Sequence, residues 1–139
     1  MRRVLALLAI PFAALLATAS PAFAGSAHFT DSTVTATRTG DTLTVTGKEA
    51  GLGGELQVHI TATATAACIN PGSNHPQAGN KETVTAVGDF PVQNGHADFT
   101  LDLAAVFQPS CSPPMTVVFS GVAVTDTTND VTAVLPGTF

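Results

Sequence analysis

From residue 25 onward the chain alternates threonine with small or branched apolar residues. The pattern runs through Thr33-Val34-Thr35-Ala36-Thr37, Thr42-Leu43-Thr44-Val45-Thr46, Val58 to Thr65 and Thr83-Val84-Thr85-Ala86-Val87. A period of two with β-branched enrichment predicts half-buried strands, with threonine toward solvent and Val, Ile, Leu or Ala toward a core. Turn residues separate the runs: Gly40-Asp41, Gly51-Leu52-Gly53-Gly54, Asn94-Gly95 and Thr127-Thr128-Asn129-Asp130. No stretch of this part holds a helical period for three turns. About seven short strands punctuated this way predict an all-β, immunoglobulin-like antiparallel β-sandwich.

Parity assigns the faces. Leu56, Val58, Ile60, Ala62, Ala64 and Ala66 share one face that continues to Cys68, while Gln57, His59, Thr61, Thr63 and Thr65 share the other. Ala97, Phe99, Leu101 and Leu103 alternate with Asp98, Thr100 and Asp102. Met115 to Val124 is apolar on both faces, which places it as a central strand.

The first 24 residues break the pattern. Arg2 and Arg3, an apolar run from Val4 to Leu16 and Ala22-Phe23-Ala24 read as a secretory signal peptide cut before Gly25. The remaining 115 residues suffice for one domain over 25–139 with a single core. With both early arginines removed, Arg38, Lys48 and Lys81 face ten acidic residues, a net charge of −7. Such a surface disfavours nucleic acid and anionic membranes as partners. No lipid-attachment cysteine follows the leader, and Leu135-Pro136-Gly137-Thr138-Phe139 only resembles the start of a sorting signal. The expectation is a protein released outside the cell without a membrane anchor.

Cys68 and Cys111 are the only cysteines. In an exported domain such a pair reads as a disulfide, worth roughly 4 kcal/mol on the chain-entropy model. Metal or redox thiols are the weaker alternative, because no third ligand clusters with them. The bond would pin two irregular segments together: residues 69–81, INPGSNHPQAGNK, and residues 107–114, FQPSCSPP. Long anchored polar loops are common sites of binding. Asn70, Asn74, His75, Asn80 and Lys81 are therefore the candidate binding residues, set against the alternative that they serve turn geometry alone.

Catalytic and metal chemistry find little support. His28, His59, His75 and His96 show no metal-ligand spacing, and no cofactor is implied. Asp126, Asn129 and Asp130 could bind calcium weakly but read better as solvated turn residues. Lys48-Glu49, placed after the second strand, stand at no diagnostic spacing, and no nucleophile or phosphate-loop motif appears. The absence of Trp and Tyr disfavours sugar binding by ring stacking.

The stretches KEAGLG (48–53) and CINPGSNHPQAGNK (68–81) resemble a group of small secreted proteins, chiefly actinobacterial, for which no activity carries over. More remotely, the GVAVTDTTND ending (121–130) and the strand-then-glycine opening resemble the apoproteins of the enediyne chromoproteins. That resemblance implies a secreted immunoglobulin-like sandwich holding a small molecule in a cleft. Those apoproteins typically carry two disulfides where this chain can form one, so no ligand residue is transferred. The expectation is an extracellular binding or interaction module for an unknown protein or small molecule. A small-molecule carrier with a cleft between sheets and a secreted protease inhibitor are the alternatives.

Overall fold

A computed structural model describes residues 25–70, 72 and 80–139. The expected signal peptide, with Asn74 and His75, lies outside the described residues. The chain is all-β, with eight strands: β1 (His28–Phe29), β2 (Thr35–Thr39), β3 (Thr42–Ala50), β4 (Gln57–Ile69), β5 (Lys81–Pro91), β6 (His96–Ala104), β7 (Thr116–Asp126) and β8 (Val131–Thr138). They form two antiparallel sheets. In the first, β3 pairs β6 on one side and β1 and β2 on the other; the second has the order β5-β4-β7-β8. The expected sandwich is present.

Alternation along each strand builds the core. Leu43 and Val45 of β3, Val58, Ile60, Ala62, Ala64 and Ala66 of β4, and Phe99, Leu101 and Leu103 of β6 are buried between the sheets. Phe99 meets Phe29 and Phe90 edge-on, at ring-centroid distances of 5.7 and 6.0 Å. Gly47 lies directly across from Phe99, where a Cβ would come within 2.5 Å of the ring. The missing side chain is what lets the phenyl ring lie over β3.

The doubly apolar run at 115–124 does form the central strand β7, between β4 and β8. Its pattern has a local cause. Val117 and Phe119 point inward, a bulge at Ser120-Gly121 shifts the parity, and Val122 and Val124 point inward beyond it. Gly121 takes φ +61°, a left-handed conformation that glycine adopts without steric cost.

Three expectations are corrected. Leu56 does not continue the inward face of β4: the strand starts at Gln57, and Leu56 is 88% exposed. Lys48 and Glu49 lie inside β3 rather than after it. Asp126 is no solvated turn residue; it is the last residue of β7 and fully buried.

Candidate functional site

The outer faces of the two sheets differ in chemistry. On the first, Lys48 Nζ lies 3.5 Å from Asp98, and Thr44 Oγ1 donates to Asp102 at 2.6 Å. On the second, threonines and serine stand in rows across the strands. Thr65 is opposite Thr83 of β5 and Ser120 of β7; Thr63 is opposite Thr85 and Ala123; Thr61 is opposite Val87 and Thr125. Thr125 and Thr132 extend the last row through hydroxyls 3.0 Å apart. Val87 and Val134 are 59% and 68% exposed on this face. Among the described residues, its only ionisable side chains are Lys81 at one end and His59 with Asp89 at the other. His59 Nδ1 lies 2.7 Å from Asp89 Oδ1.

A groove of about 330 Å³ opens at the Lys81 end of these rows, lined by Thr65, Ala67, Ile69, Lys81, Val118, Ser120 and Thr138. Its floor follows from one small residue. Ala67 is paired with Lys81 on one side and Val118 on the other, so a methyl group sits between two long or branched side chains.

The candidate binding residues fall around this end. Asn70 is exposed just beyond β4, Asn80 is half-buried just before β5, and Lys81 opens β5 and lines the groove. Cys68 and Cys111 form the disulfide, with Cα atoms 5.7 Å apart. The bond ties the proline-rich segment around Cys111 to the last turn of alternation in β4.

At the opposite end lie two acids that the sequence reading set aside, Asp126 as a solvated turn residue and Glu49 for want of a diagnostic spacing. Glu49 on β3 and Asp126 on β7 are both fully buried. Asp126 Oδ1 accepts the Thr128 N–H at 2.7 Å, and its Oδ2 accepts Asn129 Nδ2 at 2.7 Å. The same Nδ2 reaches Glu55 Oε2 at 3.1 Å. Neither Glu49 oxygen has a partner of full hydrogen-bonding geometry. The Glu49 carboxyl is pushed up from the ordinary 4.5 to about 8. Burial is the largest cause. The charge of Asp126, a hydrogen bond toward Asp126 that only the protonated acid can make, and the charge of Glu55 follow. Strand parity carried the missed signal, because Glu49 shares its face with Leu43 and Val45, and Asp126 shares its face with Val122 and Val124.

No protein-family model, curated protein or solved structure gives a significant match to this chain.

Proposed function

We propose that the chain is an extracellular binding module that engages its ligand with the outer face of β5-β4-β7-β8, centred on the groove beside Lys81. The charge-free rows of threonine, serine, alanine and valine carry this reading. Covering such a face strips water from methyl groups and from hydroxyls that can find new partners, without stranding a charge. The first sheet's outer face would bury Lys48, Asp98 and Asp102, at a higher desolvation cost. The ligand that fits is largely uncharged, with one hydrogen-bond acceptor or anionic group positioned for Lys81. It can be a protein surface or a small molecule. The disulfide and the leader read over residues 1–24 support a role outside the cell.

The test exposes the immobilised domain, residues 25–139, to culture medium of the source cells. Wild type is compared with Thr63→Arg on the proposed face and Thr100→Arg on the opposite sheet. A species retained by wild type and Thr100→Arg but lost with Thr63→Arg supports the assignment. Equal retention by all three, or loss with Thr100→Arg alone, contradicts it.

A further inference from the structure

Strand β5 leaves an edge of the second sheet open, and that edge lacks the features that keep sheet edges from pairing. Among the described residues β5 pairs with β4 alone, in a register unbroken from Gln57↔Pro91 to Ala67↔Lys81. The register fixes which backbone groups are free. The Val92 N–H donates to the Leu56 carbonyl, and this pair continues the same register, so the even-numbered residues of β5 bond to β4. In agreement, the His59 carbonyl of β4 turns the other way and accepts the Thr127 N–H. The N–H and C=O groups of Thr83, Thr85, Val87 and Asp89 therefore point away from the sheet. Their side chains are exposed, and among the described residues no other backbone hydrogen bond reaches them. The other edges are guarded. β1 and β2 have only 2 and 5 residues, and β2 carries Arg38. β8 has Pro136 and a bulge against β7. β6 carries Asp98 and Asp102, which pairing of two copies would crowd together. In β5, residues 83–88 are uncharged and contain neither proline nor a bulge.

We propose that β5 pairs antiparallel with β5 of a second copy of this chain, about a two-fold axis at Thr85. The two domains then share one continuous sheet, β8-β7-β4-β5-β5-β4-β7-β8. Charge selects the register. With the axis at Thr85, Lys81 stands opposite the second copy's Asp89, and by symmetry Asp89 stands opposite its Lys81. Thr83 faces Val87, and Thr85 faces its own copy. These odd-numbered residues are the ones whose backbone groups are free to exchange hydrogen bonds. Moving the axis to Ala86 sets Lys81 against Pro91, and moving it to Val84 sets Lys81 against Val87, so either shift loses both ion pairs. With the axis at Thr85, Pro91 lies beyond the paired segment, where its missing N–H costs nothing. The remaining charge, Glu82, is already engaged: its Oε1 accepts the Val106 N–H at 2.6 Å. Asp89 holds His59 through Oδ1 alone, which leaves Oδ2 for the second copy's lysine. The inference concerns the strand edge and does not rest on the ligand-binding reading of the outer face.

The experiment is sedimentation velocity on the disulfide-bonded domain, residues 25–139, at pH 7 over a concentration series reaching on the order of 1 mM. Wild type should pass from monomer to dimer within that range, as expected of a small edge-to-edge interface. Thr85→Pro removes an outward N–H at the axis and spares the bonds to β4, so it should fold and remain monomeric. Two charge variants test the register without relying on the proline. Lys81→Asp and Asp89→Lys, each alone, set like charges opposite each other and should weaken the dimer at least about fivefold. The double exchange Lys81→Asp with Asp89→Lys restores opposite charges and should recover most of the wild-type affinity. A wild type that stays monomeric throughout, or a dimer that survives Thr85→Pro unchanged, would overturn the proposal. Failure of the double exchange to recover affinity would overturn the register at Thr85 and with it the proposal.

Discussion

The two ends of the sandwich are fastened by different physics. Strand β4 runs between them, with Ile60 paired to Asp126 near one end and Cys68 bonded to Cys111 near the other. At the Cys68 end a covalent link closes a loop with a sequence separation of 43 and keeps its stabilising effect across pH and salt. At the Asp126 end, Glu49 and Asp126 are sealed between the sheets, and Asp126 accepts hydrogen bonds from the Asn129 amide and the Thr128 N–H. The first end is built to hold shape while it presents a groove. The second buries a carboxyl that favours its protonated form, so its strength varies with pH. A domain with one disulfide thus has one end indifferent to the medium and one end responsive to it.

The largest expected effect breaks the covalent end. Replacing Cys68 and Cys111 together with alanine should destabilise the domain by about 2–5 kcal/mol in denaturant melts. Free-thiol titration of the native protein should find no reactive cysteine. The responsive end comes next. With its carboxyl raised to about 8 in the folded chain and near 4.5 when unfolded, Glu49 is protonated in both states at low pH. Between those values the folded state binds the extra proton, so stability is full below about pH 4.5 and falls as pH rises toward 8. Wild type should lose on the order of 3 kcal/mol between pH 5 and pH 8. Glu49→Gln should flatten that slope; an unchanged slope would assign the dependence to other groups.

Smaller effects separate surface from scaffold. Thr63→Arg and Thr100→Arg, each on an outer face, should change stability by only about 0.5 kcal/mol. Binding loss with Thr63→Arg would therefore not be a folding defect. Smallest is Lys48→Ala, which removes a partly exposed ion pair with Asp98 and should cost less than about 0.5 kcal/mol, diminishing further in salt.

Much of this contrast was legible in the residues, because alternation is a direct record of which side chains face the core. The inward faces of β4 and β6, the hairpin at Gly40-Asp41 and the cysteine pairing follow from period, turn residues and the presence of just two cysteines. Leu56 misled because an apolar residue just outside a strand continues the period without continuing the structure. The parity change at Gly121 was hidden because valines on both sides of a bulge look like a strand apolar on both faces. Glu49 was set aside because it was placed after its strand at no diagnostic spacing, and Asp126 because acids in turns are ordinarily solvated, although parity placed both inside. The groove beside Lys81 could not be read from one segment, since its floor and walls meet only through the pairing of β4 with β5 and β7. Lys81 itself was singled out on the sequence, and Asn74 and His75 lie outside the described residues.

Hydrogen exchange measured residue by residue, at pH 5 and at pH 8, tests the difference between the ends most directly. With rates corrected for the intrinsic effect of pH, the account predicts that protection at pH 8 falls first around Leu52–Val58, Val124–Asp126 and the turn to Val131. Amides around Ala66–Cys68 and Val117–Phe119 should keep theirs. A uniform loss across both ends, or a loss that begins beside the disulfide, would contradict it.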